Sequence, residues 1–301
     1  MFLLINKYLK LRIAFIFAII IFAYGIGAGK YQWFPYNIVK QAKNILLNQA
    51  DYRFDEFRRL VYSKKHKKID CPTQTDSTGV ILAFGQSNSA NHAEYTYKST
   101  ELNNVVNYFN GKCYEAQSPL LGASGIDGEW ISLTASKLVD NGIYNKVIVI
   151  SSGIAGSPIS KWSENNELNL MLIKVLNGVS KKYNITDLIW HQGESDRDNI
   201  HSELYLIYFK SLLRSIRNTK IEAPIFISVA SICGPDEYWT YPNNISKAQV
   251  KLVELDGVEM GVNTDEKVPI SLRYNLCHFG KLGQESAAAD LALKISQYHT
   301  K

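Results

Sequence analysis

The sequence predicts an α/β protein whose parallel sheet is covered by helices on both faces. Two patterns carry that expectation. Short runs of consecutive apolar residues (VILAF at 80–84, KVIVIS at 146–151, DLIWH at 187–191, PIFISV at 224–229) read as strands buried on both sides. Between them, apolar residues recur at three- and four-residue steps, which is the period of a helix with one face on a core. Strands alternating with helices form parallel crossovers.

The elements follow in order. Val105 to Phe109 reads as a weaker strand closed by Asn110-Gly111, and Val258 to Val262 as a last short strand. Helices are expected at Ile131–Asp140, Leu168–Lys181, Glu203–Arg217, Ser246–Glu254 and Lys281–Gln297. Residues 37 to 63 also show helical spacing, through Val39, Ala42, Leu46, Ala50, Phe54, Phe57 and Val61. No internal repeat or low-complexity tract is evident.

Three segments are expected: an anchor over residues 1–30, a membrane-proximal helix and basic linker over 31–70, and one α/β domain over 71–301. Ile13 to Gly29 carries no charge. As a helix it would span roughly 26 Å at about 1.5 Å per residue, close to the ~30 Å of a bilayer core. Tyr31, Trp33 and Tyr36 follow it as interfacial aromatics would, and Lys7, Lys10 and Arg12 precede it. The positive-inside rule then exports the bulk of the chain. The expected protein is therefore a single-pass membrane protein with its domain outside the cytoplasm; a cleaved signal peptide is the competing reading.

The formal net charge is +5, with basic residues concentrated near the N-terminus and in Lys64, Lys65, Lys67 and Lys68. The remainder is close to neutral, which leaves no nucleic-acid footprint. The 64–68 cluster reads as a solvated linker or as a contact with anionic headgroups. Four cysteines, Cys71, Cys113, Cys233 and Cys277, suit export as two disulfides, with three connectivities open. No CxxC pair points to a metal site, and no cofactor is expected.

In such sheets, chemistry gathers at the carboxyl ends of the strands. There the sequence places Gly85-Gln86-Ser87-Asn88, then Gly153 to Pro158, then Gln192 to Asp196, and Asn275 to Phe279 before the last helix. A serine becomes a nucleophile only with a base for its proton and donors for the oxyanion. Ser87 supplies the hydroxyl and His278 the imidazole. The Ser87 N–H, the Gly156 N–H and the Gln192 amide are the candidate oxyanion donors. Substrate-binding residues are not legible.

FGQSN, AGSPISKW ending at Trp162, WHQGESD and RYNLCHF, taken together and in this order, resemble the carbohydrate acetylesterase branch of the SGNH hydrolases, the sialate O-acetylesterase-like and plant acetylxylan-esterase-like proteins. The resemblance covers roughly residues 78 to 298. It implies a three-layer α/β/α fold of flavodoxin-like type, a Ser-His-Asp triad with Ser87 and His278, an oxyanion hole of Ser87, Gly156 and Gln192, and removal of O-acetyl groups from a carbohydrate through an acetyl-Ser87 intermediate. One position departs from the family pattern. Asn275 stands where the triad acid is expected, three residues before His278. We expect its side-chain oxygen to accept the Nδ1–H of the imidazole, with Asp265 as the alternative acid.

Cys233 follows the PIFISV strand at the same edge as Cys277, so the expected pairing is Cys71–Cys113 and Cys233–Cys277. Two other functions use the same residues: a polysaccharide O-acetyltransferase, which needs a polysaccharide-assembly partner in the membrane, and a non-catalytic carbohydrate-binding protein.

Overall fold

Eight strands form one sheet: Lys68–Ile69 (β1), Thr78–Gly85 (β2), Val105–Phe109 (β3), Lys112–Glu115 (β4), Lys146–Ser151 (β5), Asp187–His191 (β6), Ile225–Val229 (β7) and Val258–Asn263 (β8). Their spatial order is β8-β7-β6-β2-β5-β3-β4-β1. The six strands from β8 to β3 run parallel, and β4 and β1 close one edge antiparallel. The computed structural model describes residues 15–22, 24–25, 51–98, 104–235 and 240–301.

β2 shows why the apolar runs are continuous. Val80, Leu82 and Phe84 point into one core and Ile81 and Ala83 into the other, so both faces need apolar side chains. The first core is covered by α2 (Glu167–Val179), α3 (Ser202–Arg217) and α4 (Asn244–Lys251). The second is covered by α1 (Ile131–Asp140) and α5 (Lys281–His299). These are the three layers expected. The antiparallel edge was not legible, because β4 is a short polar strand and β1 has two residues. The β3–β4 turn is the Asn110-Gly111 pair, both at positive φ (46° and 77°), as a two-residue hairpin turn requires.

The chain forms two compact units, residues 1–52 and 53–301. In the first, residues 15–22 and 24–25 are helical, and Phe15, Ile16, Phe17, Ile19, Ile20, Ile21 and Phe22 are exposed. No helix among the described residues is long and apolar enough to cross a membrane. The rest of the anchor expected over 1–30 lies outside the described residues, as does 37–50 of the expected proximal helix.

From residue 52 that helix is replaced by strand and turn, beginning with the strand Tyr52–Phe54. Leu60–Ser63 is a strand, and the Asp55 carboxylate accepts the Phe57 and Arg59 N–H groups (3.1 and 2.9 Å) while Arg58 sits at φ 61°. A side chain that bonds nearby backbone donors competes with helical pairing, and here it wins. Leu60 is fully buried and exchanges backbone hydrogen bonds with Gly122 and Ala123.

Both disulfides form, Cys71–Cys113 and Cys233–Cys277, in the pairing expected. The first joins the segment after β1 to β4. The second joins the loop after β7 to the segment carrying His278.

At the opposite end of the sheet from the loops above, α5 is fastened to β6. Asp187 is fully buried and accepts from His299 Nε2 (2.7 Å), Tyr144 Oη (2.7 Å) and Thr186 Oγ1 (2.6 Å). The hydrogen bond and charge of Asp187 raise the His299 pKa above its usual value, against the opposing effect of burial. A raised folded-state pKa means protons favour the folded chain. The stabilisation is complete below the unfolded histidine value, about 6.5, and is lost as pH rises through the folded value. The melting-temperature gap between the parent and His299→Gln should therefore be wide at pH 5.5 and narrow at pH 9; a gap that widens with pH would refute the pairing.

Candidate active site

β2 ends at Gly85, where the chain must turn sharply. Gly85 has φ 125°, and a Cβ there would lie 2.1 Å from the His191 carbonyl oxygen, so no other residue fits. Gln86 N–H then bonds the His191 carbonyl (2.9 Å), and Ser87–Ser89 makes one 3₁₀ turn. This puts Ser87 at the mouth of the central strand with 5% of its surface exposed. Asn88 locks the turn from both sides: its carbonyl accepts the Trp130 indole N–H (2.6 Å), and its amide donates to Glu194 Oε1 (3.0 Å) and to the Cys277 carbonyl (3.3 Å). The last of these bonds ties the residue after Ser87 to the residue before His278.

The loop after β5 carries Gly156 at φ 65°, exposed, with open space beside it. It is braced underneath. Trp162 Nε1 donates to Ser157 Oγ (2.9 Å), Ser157 Oγ donates to the Ile154 carbonyl (2.7 Å), and Ala155 N–H donates to Ser124 Oγ (2.8 Å). Ser124 Oγ in turn contacts His92 Nε2 at 3.1 Å. Among the described residues, neither the Ser87 nor the Gly156 N–H donates to a protein acceptor. Both N–H groups follow the carboxyl ends of strands that are neighbours in the sheet, β2 and β5.

His278 sits on a tight loop closed by several bonds. Tyr274 N–H donates to the His278 carbonyl (3.1 Å), Glu94 N–H to the Phe279 carbonyl (2.9 Å) and Gly234 N–H to the Leu276 carbonyl (3.0 Å), while Leu276 takes φ 64°. The His278 ring stacks on His92, centroids 5.5 Å apart at 25°. Ser87 Oγ and His278 are not hydrogen-bonded to each other in this structure; sites of this kind often hold that bond loosely before substrate arrives.

A family profile described as carbohydrate esterase, sialic acid-specific acetylesterase, matches residues 77–296. The chain belongs to this family. It is a carboxylic ester hydrolase of the carbohydrate acetylesterase type. Among solved structures, it resembles a protein from Arabidopsis thaliana at 18% identity and TM-score 0.59, over 74% of this chain and 98% of that one. It also resembles NanS at 14% identity and TM-score 0.51, over 77% and 98%. At these identities the likeness is one of fold. No curated protein matches the chain significantly.

In this esterase, two expected side chains are arranged differently from the sequence reading. Gln192 is fully buried, and its amide faces Gln86 Oε1 (3.3 Å), the Ser157 carbonyl (3.1 Å) and Asp196 Oδ2. An amide has two hydrogens, so these acceptors occupy it as a brace between the loops after β2, β5 and β6. Asn275 holds His278 in the reverse of the expected sense. Its Oδ1 accepts the His278 backbone N–H (2.8 Å), and its Nδ2 faces His278 Nδ1 at 2.9 Å. A backbone N–H can only donate, so it claims the amide oxygen and leaves the NH₂ for the imidazole.

Asp265, the alternative acid, does not reach the imidazole. Its carboxylate is buried and accepts from Ser231 N–H, Ser231 Oγ and Ile232 N–H at 2.5–3.2 Å. Burial pushes its pKa up, against those hydrogen bonds and the nearby Arg273 charge.

Several organising residues were not singled out from sequence. Glu194 and His191 are buried and meet at 3.1 Å. Burial opposes ionisation of Glu194, but His191 and the Asn88 amide outweigh it and hold its pKa low. Asp196 accepts the Ile159 N–H (2.8 Å) as well as the Gln192 amide, and burial raises its pKa. These carboxylates stand inside the WHQGESD motif, which signalled their importance but not that they face inward.

Arg273 is the hub of the histidine loop. Its guanidinium donates to the carbonyls of Val268 (2.9 Å), Ile232 (2.9 Å), Cys277 (2.8 Å) and Thr264 (3.2 Å). Arg273→Ala strands those buried carbonyls and removes the positive charge that favours an ionised Asp265. The expected cost is about 3–5 kcal/mol, the usual range for removing one partner of a buried charge. Urea unfolding checks this; a loss under about 1 kcal/mol would show that the loop does not depend on Arg273.

Proposed function

We propose that this acetylesterase removes O-acetyl groups from a carbohydrate through an acetyl-Ser87 intermediate. Ser87 Oγ attacks the ester carbonyl and its proton passes to His278. The tetrahedral oxyanion takes the Ser87 and Gly156 N–H groups, and its collapse releases the sugar alcohol, which carries off the proton from His278. Water then enters by the same route and frees acetate. Gln192 acts by fixing Gln86 and the Ser157 carbonyl, so that the two backbone donors keep their spacing.

The observation that carries this reading is the placement of Ser87. It lies at the mouth of the central strand, next in the sheet to the strand that leads to Gly156; among the described residues neither the Ser87 nor the Gly156 N–H has a protein acceptor, and Asn88 ties the turn to the histidine loop. Acetate release from O-acetylated sugars, among them O-acetylated sialic acid, by the parent and by Ser87→Ala tests it.

We further propose that the domain works outside the cytoplasm, held at a membrane by the apolar segment near residue 20. Two supports are at hand: the uncharged run Ile13 to Gly29, part of which is helical with exposed apolar side chains, and two disulfides of the kind that persist in oxidising compartments. Retention of the full chain in carbonate-washed membranes would support anchoring, and a soluble product starting near Gly27 would refute it. Polysaccharide-assembly proteins are the partners such a location would bring into reach.

A further inference from the structure

Tyr274 is a large aromatic side chain left exposed (45%) four residues before His278. It is not exposed through looseness. Its N–H bonds the His278 carbonyl (3.1 Å), and its hydroxyl donates to the His92 carbonyl (3.3 Å). Its neighbours on the chain are equally fixed: Arg273 bridges antiparallel to Phe279 and anchors four carbonyls, and Cys277 is bonded to Cys233. The ring stands 6.2 Å from the His278 ring, inclined by 32°, and the His92 ring is stacked on the imidazole at 25°. The imidazole is therefore neighbour to two anchored rings inclined to it by 25° and 32°, one of them an exposed phenol.

The chemistry of the ester then decides what meets this ring. In the acylation step the leaving oxygen must accept a proton from the imidazole, so it must come within about 2.6–3.2 Å of it. The remainder of the leaving alcohol is then held close to the histidine, whose ring is neighbour to the exposed Tyr274 ring. A pyranose offers an apolar face of C–H groups, and the negative face of an aromatic ring attracts their partial positive charge.

We propose that Tyr274 is the stacking platform for the sugar ring of the leaving alcohol, a subsite for a pyranose next to the scissile acetyl group. This inference rests on the reading of Ser87 and His278 as the reacting pair. A platform already held in place binds without the entropy of ordering a free side chain, which is the use of its two backbone anchors.

The test compares two esters on the full chain. One is methyl mono-O-acetyl-glucopyranoside; the other is ethyl acetate, whose leaving alcohol is too small to reach Tyr274. For Tyr274→Leu, similar in bulk but not aromatic, the ratio of kcat/KM on the sugar ester to that on ethyl acetate should fall about tenfold, chiefly through KM. Tyr274→Phe keeps the ring and should hold the ratio within about twofold. A distorted histidine loop lowers both substrates in proportion and leaves the ratio unmoved, so an unmoved ratio in Tyr274→Leu overturns the platform while the esterase reading stands. If the parent cleaves ethyl acetate and no acetylated pyranoside, the carbohydrate reading fails and the platform falls with it. Fluorophosphonate labelling of Ser87 in every variant confirms that the compared sites are intact.

Discussion

Asn275→Asp should raise kcat/KM by at least about tenfold, towards a ceiling of ~10⁴, the factor lost when the acid of a serine protease triad is changed to its amide. The reason lies in the hydrogen-bond directions. The Asn275 NH₂ faces His278 Nδ1 and its oxygen holds the His278 N–H. A neutral imidazole that accepts at Nδ1 carries its proton on Nε2, and cannot take the proton of Ser87. To act as base, the ring must change tautomer and lose the Asn275 amide as a partner.

Aspartate at 275 would keep one oxygen on the backbone N–H and offer the other to Nδ1–H, which reverses the tautomer and adds charge for the imidazolium. Residue 275 is exposed, so water solvates the new carboxylate. Asn275→Ala removes the donor without supplying an acceptor and should fall between the parent and Asp. Steady-state kinetics on p-nitrophenyl acetate decides the matter. An Asp variant no faster than the parent would show that the amide is not what limits the imidazole.

Ser87→Ala should abolish turnover, with a loss of several orders of magnitude; removing the nucleophile of a well-studied serine protease costs roughly 10⁶. The Ser87 hydroxyl makes no hydrogen bond to the protein among the described residues, so the fold should lose little. A melting temperature within about 2 °C of the parent, measured beside the kinetics, separates chemistry from collapse. Retained turnover would mean that another residue carries the acetyl group.

Much of this was legible in the sequence, for identifiable reasons. A strand buried on both faces is mostly apolar without alternation, so VILAF, KVIVIS, DLIWH and PIFISV announce themselves. The turn after β2 announces itself too, since Gly85 has no room for a side chain. What stayed hidden depends on partners far along the chain. The helical spacing of residues 53–63 was overridden by one carboxylate, Asp55, bonding the backbone beside it. The antiparallel edge strands β1 and β4 are short, and their pattern is polar.

In the site, the motifs marked which residues matter but not the direction of their bonds. Gln192 reads as a donor for substrate until Gln86, Ser157 and Asp196 are seen around its amide. Asn275 reads as an acceptor for the imidazole until the backbone N–H of His278 is seen to take its oxygen. Arg273 and Tyr274 are neighbours in one motif, yet one is the buried hub of the loop and the other its exposed face.

The central claim is that acetyl passes through Ser87. Its most direct measurement is acid quenching of the full-length chain during turnover of an O-acetylated sugar, followed by peptide mapping. An acetyl group on the peptide containing Ser87, absent in Ser87→Ala and cleared once substrate is exhausted, is the predicted result. Continued acetate release with no acetyl on that peptide, or with acetyl on a different one, would contradict it.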